Sequence, residues 1–170
     1  MPIVISPQEV LEIAVQIENN GAKFYEEAAG TVSDKAAKEL LETLARMEAQ
    51  HGTTFDEMLD ELARKDGKVR WVGQKEEGWA YLRLFTSGQI FDPTRKAPAA
   101  LASKNSVEEI LEFAIARENE SVLFFTGMAR LVTSQEYAER IGEIIAEEMD
   151  HAILLNDALE SRRQKRKSTE

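Results

Sequence analysis

Two histidines, His51 and His151, are the only imidazoles in a chain that has no cysteine. Each follows a glutamate by three positions, in Glu48–Ala49–Gln50–His51 and in Glu148–Met149–Asp150–His151. Residues at i and i+3 project from one side of a helix. One Glu-x-x-His unit can therefore bring a carboxylate and an imidazole to a common point. Oxygen and imidazole donors without sulfur suit iron, manganese or zinc, and ligand softness does not choose among them. A lone Glu-x-x-His in a glutamate-rich helix is an ordinary surface pair. What gives these two weight is a second pair of glutamates, Glu18 and Glu118, each 30 positions before the glutamate of one unit. Glu147 also lies within a turn of His151. Glu148 is the better candidate, because 100 positions earlier it has Glu48 as its mate, whereas Glu147 has Met47.

The elements that must position these side chains follow from a repeat. Sliding the chain by 100 positions aligns residues 6–62 with 106–162 without a gap, and 14 of the 57 pairs are identical, among them both glutamates and the histidine. Each half reads as a helix pair. Ser6–Glu9 and Ser106–Glu109 fit the Ser-x-x-Glu capping box, Thr133–Glu136 fits its threonine form, and Pro7 suits a first helical position. The pattern predicts helices over 7–30, 34–64, 107–130 and 135–162, with turns near Ser33 and Thr133. Apolar stripes run along all four: Leu11, Ala14, Tyr25 and Ala28 on the first, Leu41, Leu44 and Phe55 on the second, Leu111, Ala114 and Phe125 on the third, Ile141, Ile144 and Leu155 on the fourth. Glu18, Glu48, His51, Glu118, Glu148 and His151 interrupt these stripes, whereas Glu12, Glu39 and Glu112 face outward. Residues equidistant from an antiparallel turn lie level. The midpoint of Glu18 and Glu48 is position 33 and that of Glu118 and Glu148 is position 133, so each hairpin carries its candidate ligands at one height. Four carboxylates in a core would each cost several kcal/mol unless protonated or paired with cations. Two divalent ions offset that cost.

Composition narrows the field further. With 170 residues, 43% of them hydrophobic, the chain is long enough for one domain with a real core. Its net charge of −10 argues against nucleic-acid binding. The absence of cysteine excludes disulfides, thiolate catalysis and rubredoxin-type iron sites within the chain. No apolar run is long enough to span a membrane, and no leader is seen at the start, so the expected compartment is the cytoplasm. The expected organisation is a bundle over 1–162 and a basic tail over 163–170, a solvated helix end. Between the hairpins lies the segment 65–105, with Trp71, Trp79, Tyr81, Phe85 and Phe91. It reads as a long connection with a short helix around residues 74–88, its aromatics packing on the bundle or on a second subunit.

In its four helices the chain resembles the ferritin-like di-metal carboxylate superfamily, and within it the rubrerythrin-like proteins. The resemblance rests on Glu18, Glu48–His51, Glu118 and Glu148–His151, the ligand pattern of such bundles, and on the stretches ENNGAKFYEEAA and ENESVLFFTGMA. It implies an all-α, ferritin-like four-helix bundle of two repeated hairpins, with 65–105 as the crossover between helices two and three. It implies a two-iron site in which Glu48 and Glu148 bridge, Glu18 and Glu118 are terminal, and each histidine binds one metal. Tyr25 would donate a hydrogen bond to a ligand. The implied function is a non-haem di-iron oxidoreductase of oxidative-stress type, reacting with peroxide or O2, fed by an external donor such as a rubredoxin-type protein, and dimeric. The alternatives are an iron-handling ferroxidase, a hydroxylase with a pocket near 71–91, and a structural di-zinc bundle. Peroxidase-type rubrerythrins carry a further glutamate one turn after the third-helix ligand; here Ser121 stands at that position.

Overall fold

The computed structural model describes residues 6–64 and 106–168. They form four helices: α1 (Pro7–Thr31), α2 (Lys35–Arg64), α3 (Val107–Ala129) and α4 (Gln135–Lys167). The helix starts show why they form where they do. At α1 the Ser6 hydroxyl accepts the Glu9 N–H at 3.2 Å and the Glu9 carboxylate accepts the Ser6 N–H at 2.6 Å, a complete capping box. At α3 the Ser106 hydroxyl accepts the Glu109 N–H at 3.2 Å. At α2 the cap is Asp34, whose carboxylate accepts the Ala37 N–H at 2.8 Å. The helix does not take its cap at Thr133, as the Thr133–Glu136 box requires. Backbone is extended at Ser134, which takes the cap position of α4 without a side-chain cap bond. The helix thus starts one residue later than a Thr133 cap requires.

α4 continues past residue 162 to Lys167. Two arginines hold this last stretch on the bundle: Arg162 meets Asp34 at 2.7 Å and Glu108 at 3.3 Å, and Arg163 meets Glu112 at 2.6 Å and Glu160 at 2.8 Å. Lys165, Arg166 and Lys167 place positive charge at the helix C-terminus, where the helix dipole favours it.

Two apolar clusters fill the bundle. One joins the start of α1 (Val10, Leu11) to the end of α2 (Phe55, Met58), the end of α3 (Phe125, Met128) and the start of α4 (Tyr137, Ile141). The other joins the end of α1 (Tyr25, Ala28) to the start of α2 (Leu41, Leu44), the start of α3 (Leu111, Ala114) and the end of α4 (Leu155, Leu159). Two orientations follow: α1 runs antiparallel to α2 and α3, and α4 runs parallel to α1. The closest backbone packing is within each hairpin. α2 ends, and α3 begins, at opposite ends of the bundle. The segment 65–105, with its expected short helix and aromatics, lies outside the described residues.

The buried faces are wider than the single stripes read from spacing. Val10, Ile17, Phe24, Ile110 and Phe124 are also buried, because each helix of a bundle packs on two neighbours at once. None of the described helices is long and apolar enough to cross a membrane.

Candidate metal centre

The gap between the two apolar clusters holds the polar residues of the core. Glu18, Glu48, His51, Glu118, Glu148 and His151 are all at most 3% exposed. They come from the middles of the four helices, one from each of α1 and α3 and a pair one turn apart from each of α2 and α4, and the level placement read from the turns is what the bundle contains. The side chains gather into two quartets. Glu18, Glu48, His51 and Glu148 form one; Glu48, Glu118, Glu148 and His151 form the other, each with ligand-capable atoms within 4.8 Å of one another. Two ligands on one ion at about 2.0–2.2 Å lie no more than about 4.4 Å apart. Small side-chain shifts would therefore close either quartet on a cation. Glu48 and Glu148 are common to both.

The distances show which nitrogens face the carboxylates. His51 Nδ1 lies 2.8 Å from Glu148 and 3.6 Å from Glu18. His151 Nδ1 lies 3.1 Å from Glu48, 3.8 Å from Glu118 and 3.9 Å from Glu148. The two imidazole rings are nearly parallel, at 15°, with centroids 5.5 Å apart. Despite this proximity, both oxygens of Glu18 and of Glu148, one of Glu48, and the Nδ1 atoms of both histidines are buried without a hydrogen-bond partner. Buried polar atoms are nearly always paired. A cluster of orphaned carboxylate and imidazole lone pairs pointing at one another is what a site for cations looks like without them. Two divalent ions would also balance the four carboxylate charges.

Electrostatics without cations are strained in the same sense. Burial, then the Glu48 charge, holds the Glu18 carboxyl well above the usual carboxylate range, and the same two causes act on Glu148. Burial and Glu118 push Glu48 up to about 7, although His151 pulls the other way. At Glu118 burial is outweighed by His151, Glu148 and Tyr25, and the carboxyl lies low. His151 is raised to about 9, burial being outweighed by Glu118 and Glu48. Burial lowers His51.

Tyr25 is buried, and its hydroxyl donates to the Glu118 carboxylate from across the α1–α3 seam. Burial and that carboxylate raise the phenol well above its usual range, so it stays a donor. Two further residues matter that their types alone did not reveal. Glu147 accepts a hydrogen bond from His51 Nε2 at 2.7 Å, reaching across from α4 to α2 rather than serving its own-helix neighbour His151. This donation leaves His51 Nδ1 as the lone pair facing the cluster, the arrangement by which an outer carboxylate orients a metal-binding imidazole. His151 Nε2 has no such partner among the described residues. Gly21 is the second. A Cβ there would overlap the Glu48 carboxylate, so the absence of a side chain lets Glu48 occupy its place. The signal for Gly21 in the sequence was its position one turn after Glu18; nothing in the sequence pointed Glu147 at His51.

Comparison with family models matches residues 9–84 to the family described as Rubrerythrin. The match takes in α1 and α2, and with them Glu18, Glu48 and His51; Glu118, Glu148 and His151 rest on the repeat and on the geometry. Comparison with curated proteins and with solved structures found no match. The chain therefore carries a rubrerythrin-like region over residues 9–84, and its described residues form an all-α, ferritin-like four-helix bundle whose core gathers a carboxylate–histidine cluster able to hold metal.

Proposed function

We propose that the cluster is a two-iron centre and that the protein is a non-haem di-iron oxidoreductase using peroxide or O2 as oxidant. The observation that carries this reading is the pair of overlapping quartets that share Glu48 and Glu148. Glu48 and Glu148 would help to hold both ions, and a reduced pair held there would supply two electrons to one oxidant molecule. With peroxide the balance is two electrons and two protons per two waters formed, and an external donor restores the electrons. A partner of rubredoxin type fits, because the chain has no cysteine with which to build its own. The protein's own residues have clear tasks. Glu18 and His51 complete one quartet; Glu118 and His151 complete the other. Tyr25 holds the Glu118 carboxylate in place, and Glu147 holds His51. The apolar clusters on either side keep bulk water from the ends of the centre. A homodimer is part of the same reading.

Anaerobic titration of metal-free protein with Fe(II), followed by mixing with peroxide or O2, tests it. The expected result is two Fe(II) per chain and oxidation of both. Glu48→Ala or Glu148→Ala should abolish tight binding of both ions, whereas Glu18→Ala or His51→Ala should leave about one, since each serves only one quartet. Stoichiometry near zero, or binding indifferent to Glu148→Ala, sinks the reading. Stable occupancy by two zinc ions with no redox chemistry would replace it with a structural role.

A further inference from the structure

α4 carries a second stripe that takes no part in the core. Gly142, Ala146, Met149, Ile153 and Asn156 are all exposed, Met149 by 53% and Ile153 by 57%. Their spacing of 4, 3, 4 and 3 positions keeps them on one line of the helix, as in a seam that meets another helix. The repeat supplies an internal comparison. The same five positions of α2 hold Glu42, Arg46, Ala49, Thr53 and Asp56, also exposed. Three of the five are charged there, and none on α4. Solvation accounts for the α2 face and not for the α4 face, although the two occupy matching places in the repeat. Gly142 adds to the contrast. Glycine weakens a helix interior relative to alanine, and a Cβ at this position would meet nothing within 4 Å among the described residues. The rest of the described chain does not call for bare backbone there; a helix approaching from outside does.

The stripe is complementary to itself. Consider two antiparallel α4 helices related by a two-fold axis level with the Glu147–Glu148 peptide. Ile153 of one copy then lies over Gly142 of the other, and Met149 over Ala146, because both pairs are centred on that point. Each large side chain meets a small one. The same axis sets Asn156 opposite Glu139, an amide facing a carboxylate, and Glu160 opposite Gln135, so no like charges oppose one another along the seam. We infer that α4 is the surface on which a second copy of this chain docks, α4 against α4 about that axis, while the matching face of α2 stays in solvent. This gives the homodimer of the reading above its surface, and it does not depend on iron. A closed two-fold uses up the stripe, so association stops at the dimer. A seam one helix wide is smaller than the about 800 Å² that each partner buries in a standard interface. The dimer therefore forms in the micromolar range and dissociates on dilution.

Sedimentation velocity of the full-length protein over about a hundredfold range of concentration, iron-loaded and chelated, tests it, with the helicity of each variant measured alongside. The expected result is a monomer–dimer equilibrium with and without iron. Met149→Glu should weaken it by about tenfold or more, and Gly142→Leu, which fills the space for Ile153, should do the same. Ala49→Glu, at the matching position of α2, should leave it within about twofold of the parent. If Met149→Glu loses helicity, Ile153→Glu takes its place. Ala146→Lys and Met149→Glu chains, each monomeric alone, should pair when mixed, because the axis sets position 146 of one against position 149 of the other. A parent that stays monomeric throughout overturns the inference. So do equal losses in Ala49→Glu and Met149→Glu, or mixed variants that fail to pair. Failure of the two-iron reading is seen separately, in the iron stoichiometry.

Discussion

The two histidines of the cluster occupy matching positions in the repeat, yet they do not have matching surroundings. His51 Nε2 donates to Glu147, whose side chain is 53% exposed, while His151 Nε2 is buried without a partner among the described residues. The repeat mate of Glu147 is Met47, which cannot accept that bond. An outer carboxylate fixes the ring orientation and raises the basicity of a ligating imidazole, and its loss typically costs 10–100-fold in metal affinity. Glu147→Leu is therefore expected to weaken one of two Fe(II) binding steps by about 10–100-fold and to leave the other in place, as read by anaerobic titration. Two equally weakened steps, or none, would show that Glu147 does not act through His51. The sequence could place Glu147 only relative to its own helix, where His151 is the neighbour four positions on. Its actual partner depends on how α4 lies against α2.

At the scale of helices, the six cluster residues were legible because a charged residue in the middle of an apolar stripe has no ordinary reason to be there. The stripes themselves were read too narrow: Ile17, Phe24 and Phe124 lie off them and are buried. Helix starts were legible where the side chain bonds its own first turn, and not where the turn geometry decides. Ser6 makes a reciprocal capping box, but Ser134 makes no side-chain cap bond. Ser6→Ala should therefore destabilise the metal-free protein by about 1 kcal/mol, while Ser134→Ala should change it by a few tenths at most. Urea unfolding of both variants checks this, and equal losses would contradict the difference between the caps.

For the whole molecule the metal-free cluster is a stability problem that a bound divalent ion would relieve. In the metal-free protein Glu18 and Glu148 lie well above their usual range and Glu48 at about 7. A group whose folded pKa is raised adds stability that is complete below its unfolded pKa and is lost as pH rises through the folded one. His151, raised to about 9, acts in the same direction. His51, which is lowered, opposes them only as pH climbs towards its unfolded value of 6.5. The chelated protein should therefore unfold at progressively lower temperature from pH 5 to pH 9. Divalent metal should reverse the trend, because it replaces the protons that hold the carboxylates neutral. Thermal unfolding with and without chelator across that range measures it; a metal-free protein that becomes more stable with rising pH would contradict the buried carboxylates.

The repeat, the four helices of the described residues, the composition of the cluster and its height in each hairpin were all determined by the sequence alone. They depend on period, spacing and distance from a turn, which a single helix or hairpin sets locally. The tertiary structure put Glu48 and Glu148, the bridging pair that the resemblance implies, into both quartets, and it alone decided that Tyr25 reaches Glu118, that Glu147 crosses to His51, and that Gly21 and Ser121 leave a cavity at one seam. Each of these joins different helices, at least one pair of them from the two halves of the chain. Helical periodicity says which way a side chain points from its own axis, and nothing about which helix lies beyond it.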